Sequence, residues 1–298
     1  MMLWSVIGVL FLLGACQPKE EWKPLFNGQN LDGWRHYLSK PDSAFDLMGL
    51  ERDPQGQYAA LGNQDPLQVF SVLEHEGKSC LRISGQVIGN LYTKQSYRNY
   101  HLQLTFKWGT KKWAWMEGRP KDGGVLYHYH HFSGQAGVRH ECQIHAGDIG
   151  SYWARQTKVD IPGYYSSQLP MAIQQARPFL ADLVPEIRDT MLIFHPDSAL
   201  QHFDGHNRWQ IAIADPATEK PDQWNQLDIF CYQNHALHYL NGHLNMVLLN
   251  AHLQVGEQWV KMDSGTIQIQ SEGAEIFFHD IRIRPLEKMP EALTSYLD

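Results

Sequence analysis

In His101-Leu102-Gln103-Leu104-Thr105-Phe106-Lys107-Trp108 every second residue is apolar. That is the period of a strand with one covered face, and no helix can use it. The signal recurs along the chain. Leu227-Asp228-Ile229-Phe230-Cys231-Tyr232 is an apolar run suited to a strand covered on both faces. In His238-Tyr239-Leu240-Asn241-Gly242-His243-Leu244, Asn-Gly supplies the positive φ angles of a type I′ hairpin turn. Thr266 to Gln270 alternates strictly, with the glutamines opposite the isoleucines. From Glu275 to Arg284 the apolar phase moves from Ile276 and Phe278 to Ile281 and Ile283. A one-residue shift turns every side chain over, so a bulge is expected near His279-Asp280. Helix is opposed: the best candidate, 169–187, is cut by Pro170, Pro178 and Pro185. The expectation is an all-β chain of two packed antiparallel sheets, with a long, partly helical insertion around 151–221. An insertion of that length is either a lid or binding wall or a packed surface loop.

Composition narrows the function. The 298 residues are 43% hydrophobic, enough for one sizeable core. A formal charge of −7 without a long basic run sets nucleic-acid binding aside, because phosphate contacts need clustered cations. Ten Trp, thirteen Tyr and sixteen His suit sugar rings, or a β core. Leu3 to Leu13 is an apolar segment too short to span a bilayer, and it ends in Leu13-Gly14-Ala15-Cys16. This reads as a lipoprotein signal over 1–15, lipid attachment at Cys16 and a tether over 16–21. The exported domain (22–288) would then sit in the cell envelope, on the periplasmic or surface side, held to the membrane by lipid. Cys80, Cys142 and Cys231 form no disulfide framework and are expected as buried free thiols.

Candidate site residues follow from strand phase. Between Arg139 and His145, Cys142 and Ile144 point one way, and Glu141, Gln143 and His145 point the other. A carboxylate, an amide and an imidazole on one face are costly unless that face is wet or binds something polar. By the same count His128 and His130 share a face opposite Tyr127. Asp148 follows on a Gly-flanked turn, with Trp153 beyond it. Trp153, and the loop residues Trp113 and Trp115, either stack on a sugar or cover the core edge. His128, His130 and Glu141 are candidate ligands for a divalent metal ion. Glu141 paired with Arg139 or Arg155 as a structural ion pair is the alternative.

Four ordered segments carry a resemblance. Trp22 to Trp34, Asp122 to His128, His140 to Gly150, and the closing pieces Trp224 to Gly242 and Ser264 to Pro285 together resemble the 3-keto-disaccharide hydrolase (DUF1080) family. The chain departs from that family's pattern at Gly123, at His145-Ala146 and at His279-Asp280. The resemblance implies a concanavalin-A-like jelly-roll sandwich and cleavage of 3-keto-glycosides. In that chemistry the C3 ketone acidifies the C2 hydrogen, a base removes it, and the C1 substituent is expelled. Glu141 is then base or metal ligand, and His128 and His145 are acids or oxyanion stabilisers. Gln143 orients substrate, and Asp148, Trp153, Gln270 and Glu272 line the cleft. No nucleotide fingerprint follows a strand, so a separate sugar 3-oxidoreductase would have to make the ketone. Two other functions use the same surface: a non-catalytic carbohydrate-binding lipoprotein, and an ordinary glycoside hydrolase built on Glu141 with Glu272.

Overall fold

A computed structural model describes residues 21–47, 49–113, 116–130, 137–169, 171, 173–174, 190–204, 209–214 and 218–297. The signal segment with Cys16, Trp115, His131 and most of the 169–187 helix candidate lie outside the described residues. Nineteen strands are described. They are β1 (Lys23–Pro24), β2 (Trp34–Leu38), β3 (Phe70–His75), β4 (Lys78–Ile83), β5 (Gly89–Thr93), β6 (Tyr100–Lys112) and β7 (Gly124–His130). Next come β8 (Val138–Gln143), β9 (Tyr152–Arg155), β10 (Thr157–Ser166), β11 (Met191–Phe194), β12 (Leu200–Asp204) and β13 (Trp209–Ile213). The last are β14 (Asn225–Tyr232), β15 (His235–Leu240), β16 (His243–Val255), β17 (Gln258–Lys261), β18 (Thr266–Ser271) and β19 (Ala274–Pro285).

These form the expected all-β sandwich. One sheet runs β3-β4-β19-β6-β14-β15-β16, with β1 also on β19. The other runs β2-β5-β18-β7-β8-β9-β13-β11-β10 and is called the site sheet below. The pairing of β10 with β16 joins the two, so they meet along one side. All pairings are antiparallel except β11 with β13. The 151–221 stretch differs from the expected excursion, because it holds five strands, β9 to β13. Prolines exclude long helices, but they leave short strands possible between the breaks.

Local sequence explains the details. Asn241 and Gly242 both have positive φ, as the hairpin turn between β15 and β16 requires. In β19 the register against β6 shifts between His279 and Arg282, and Asp280 takes φ 51° and points to solvent. The bulge therefore lets Phe278 and Ile281 both reach the core. Cys80, Cys142 and Cys231 are buried free thiols.

A polar network crosses the interior between the sheets. The Tyr127 hydroxyl on β7 lies 2.7 Å from His238 Nε2 on β15, and His238 Nδ1 lies 3.1 Å from the Gly150 carbonyl. That carbonyl can only accept, so Nδ1 carries the proton and Nε2 accepts from tyrosine. Burial holds His238 down at about 4, which keeps this tautomer neutral at ordinary pH. Tyr127→Phe would strand a buried ring nitrogen without its donor. We predict a loss of about 1–3 kcal/mol in urea unfolding with an unchanged m-value; an unchanged midpoint would show that the bond carries no stability.

Candidate functional site

Residues paired directly across antiparallel strands share a face. On the site sheet one such row reads Arg35, Tyr92, Gln268, Leu126, Glu141, Trp153 and Ile211, from β2 through to β13. The neighbouring row contains Tyr37, Asn90, Gln270, Gly124 and Gln143. Both rows face away from the sandwich core, whose side of these strands holds Leu91, Ile269, Val125 and Cys142. Beyond β8 the ladder continues, with Ile144 N–H bonded to the Gly123 carbonyl and Ala146 N–H to the Lys121 carbonyl. This sets His145 across from Asp122.

Three carboxylates gather on and beside these rows: Glu141, Asp122 and Glu272. Glu141 is 5% exposed, its Oε2 accepts from Arg139 Nη2 at 3.3 Å, and the Gln270 amide lies close enough to favour its charged form. Gln270 Nε2 also donates to Glu272 Oε1 at 2.9 Å, and Gln143 Nε2 donates to Asp122 Oδ1 at 2.6 Å. With their NH₂ groups turned to carboxylates, the amide oxygens of Gln143 and Gln270 are buried without a partner. Two acceptors of that kind suit the hydroxyls of a bound molecule. Gly124 makes the space: a Cβ there would lie 2.2 Å from Gln270 Oε1 and 3.3 Å from Glu141 Oε1.

Electrostatics follow from burial and crowding. Burial, then repulsion from Glu141, raises Asp122 to about 7, against the pull of Arg119 and the Gly123 N–H. Glu272 is pushed well above the carboxylate range by burial and by both other carboxylates. Burial also raises Glu141, but Arg139 opposes it most strongly there. Like charges so close cannot all ionise cheaply, so near neutral pH the cluster retains protons. Glu141 is ion-paired with Arg139.

The structure brings together Glu141, Gln143, His145, Trp153, Gln270 and Glu272 on this face. Trp153 stands directly across from Glu141 and packs against the small apolar cluster of Leu169, Ile173 and Ile211, which walls one end. His145 is buried, with Nδ1 unpartnered, and burial lowers it to about 4. Asp148 lies beneath the face, 1% exposed and bonded to the Ser151 hydroxyl. Trp113 donates to the Ser84 carbonyl and packs edge-on against Phe45 at the core edge.

His128 is elsewhere. A bulge between Tyr127 and His130 gives His128 φ 49° and turns it toward the core, beside Tyr100, Tyr127 and His140. Its Nδ1 meets the Met262 carbonyl, and His130 Nε2 meets the Ser264 carbonyl. The candidate metal set His128, His130 and Glu141 therefore does not converge. Among the described residues no three His, Cys, Asp or Glu side chains are arranged to hold a metal ion. Strand counting assumes an unbroken ladder, and the bulge breaks it after Tyr127. Sequence reasoning missed Asp122 and Gly124 as site residues. The signal was present, since Asp122, Gly124 and Leu126 share the phase opposite Val125 and Tyr127.

Asp148 gives a pH test. Burial raises it to about 8, with Ser151 opposing and Asp122 and Glu219 adding. A carboxyl raised in the fold contributes stability that is complete below its unfolded pKa of about 4 and is lost as pH rises through 8. Asp148→Asn keeps the serine contact without titrating. The variant should gain on the parent by up to about 1.4 kcal/mol per pH unit between pH 4 and 8 in denaturant unfolding. A constant difference across that window would contradict the buried, protonated carboxyl.

A model of the 3-keto-alpha-glucoside-1,2-lyase-like domain matches residues 21–284. Two solved candidate glycosyl hydrolases from Parabacteroides distasonis are distantly similar. One is 18% identical, covers 89% of this chain and 100% of its own, and has a TM-score of 0.43. The other is 15% identical, covers 89% and 94%, and has a TM-score of 0.44. A carbohydrate-binding module from Bacillus subtilis is 8% identical over 72% of this chain and 91% of its own, with a TM-score of 0.36. No curated protein matches the chain. The family match takes in both sheets and all three carboxylates, and the chain belongs to the carbohydrate-active 3-keto-α-glucoside-1,2-lyase-like domain family.

Proposed function

We propose that this face cleaves 3-keto-glycosides by removing the C2 proton and eliminating the substituent at C1. The observation that carries the reading is a cluster of three crowded carboxylates in which Glu141 makes an ion pair with Arg139 while Asp122 and Glu272 are raised by burial and by their acid neighbours. Elimination needs one ionised carboxylate and one protonated one at the same moment. The cluster supplies both. Glu141, with Arg139 and the Gln270 amide as donors, is the ionised member and acts as base on C2–H. The electron pair moves to O3 as an enediolate, and re-forming the C3 carbonyl drives out the C1 oxygen. Glu272, which keeps its proton, delivers it to that leaving oxygen. The product is a 1,2-unsaturated 3-keto sugar, to which water adds at C1 with a proton returning to C2.

Arg139 and neutral His145 are the donors for O3, where charge develops. Gln143 and Gln270 accept sugar hydroxyls through their unpartnered oxygens, and Trp153 offers a ring face beside Glu141. An oxidoreductase that makes the 3-ketone is the required upstream partner. The chain is proposed to work outside the cytoplasm, tethered through lipid on Cys16.

Two variants test this. Glu141→Gln should lower kcat on a 3-keto disaccharide at least about 10²-fold while substrate affinity changes little. Unchanged turnover would remove Glu141 from the chemistry, and binding without turnover in the parent protein would favour a lectin-like role. Gly124→Ala meets side-chain ends, those of Gln270 and Glu141, and no backbone, so melting should shift by no more than a few degrees. The same change should lower kcat/KM about tenfold or more, because it displaces Gln270 from both glutamates.

A further inference from the structure

The same face carries a second concavity beyond the carboxylates. A cavity of about 830 Å³ opens where β2, β5 and β18 meet, and Arg35, Tyr37, Asn90, Tyr92, Lys94 and Gln268 are among its walls. No Asp or Glu lines it among the described residues. Several other cations of this acidic chain sit against a carboxylate: Arg82 with Glu275, Arg98 with Asp263, Lys107 with Glu76, and Lys158 with Asp204. Among the described residues Arg35 and Lys94 have none, and both are exposed. Two unpaired cations in one hollow, on a chain of formal charge −7, mark a place prepared for an anion.

The rest of the wall fits a sugar. Tyr37 is 50% exposed and Tyr92 is half-buried beside it, so aromatic faces and phenols are both on offer. The Asn90 side-chain oxygen is buried and unpartnered, as are those of Gln143 and Gln270. Position sets the length of the ligand. Arg35 and Glu141 belong to one cross-strand row, four strand steps apart. At about 4.8 Å per step that is about 19 Å, further than a disaccharide held at Glu141 extends.

We infer that this cavity binds the anionic substituent, carboxylate or sulfate, of a sugar residue remote from the bond cleaved at Glu141, and that the substrate is an acidic oligosaccharide. The inference takes from the proposed function only that sugars occupy this face. Arg35 forks onto the anion, Lys94 adds a second charge, and Tyr37 and Tyr92 pack on the ring that carries it.

Calorimetric titration of the full chain tests it with three probes: a tetragalacturonide, a sulfated galactan tetrasaccharide and the neutral galactan tetrasaccharide. At low salt at least one acidic probe should bind about tenfold tighter than the neutral one, and the preference should shrink as salt rises. Which acidic probe shows it names the anion. The double variant Arg35→Gln with Lys94→Gln should bring all three within about twofold. Glu141→Gln should keep the preference, so loss of the catalytic reading and loss of this one give different results. Equal binding of all three, no binding of either acidic probe, or a preference that survives the double variant would overturn the inference.

Discussion

Three carboxylates crowded around one guanidinium contact, Arg139 with Glu141, are the imbalance on which the rest of the face depends. Arg139 contacts Glu141, while Asp122 and Glu272 take amide and backbone donors and are pushed upward by burial and by their acid neighbours. Ionising all three would place like charges in a poorly solvated cluster, at a cost that Arg139 and Arg119 offset only in part. The cluster therefore holds protons at a pH where isolated carboxyls would not. That is a liability for stability and an asset for a reaction that needs acid and base together. Asp148 extends the same field beneath the face, raised to about 8.

The sandwich makes this arrangement sustainable by segregating two kinds of polar group on opposite sides of the same strands. Outward on β7 and β8 stand Gly124, Glu141 and Gln143. Inward stand Tyr127 and His140, tied to His238 and to Tyr152 by neutral hydrogen bonds. Burial drives the inner histidines below their usual range and lifts the outer carboxyls above theirs, so the histidines stay neutral and Asp122 and Glu272 hold protons, while Arg139 opposes the rise at Glu141. Strand alternation performs the sorting, and the cross-strand register carries it from β2 to β13.

Much of this was legible in the sequence because it depends on period and phase. The alternation in Thr266 to Gln270 placed both glutamines outward. The phase of Arg139 to His145 separated Glu141 and Gln143 from Cys142. The phase change after Phe278 located a real bulge at Asp280. What failed depended on pairing. His128 was put on the wrong face because nothing local announces the bulge that follows Tyr127. The strands β9 to β13 are hard to read because most are short and carry no sustained alternation, and prolines interrupt the stretch between them. Asp122 was overlooked because a carboxylate at a strand entrance looks like a turn residue until Gln143 and Glu141 are seen beside it. The Arg35 cavity required a register across three strands far apart in sequence, and no local pattern gives that.

The account stands most directly on whether the C2 hydrogen is exchanged during cleavage. A 3-keto disaccharide and its unoxidised parent would be incubated with the full chain in D₂O, and the released sugars examined by NMR. The account predicts cleavage of the keto form alone, with deuterium at C2 of the released 3-keto sugar. Cleavage of the parent, or release of a 3-keto sugar that keeps its C2 proton, would contradict elimination and point to direct displacement at C1.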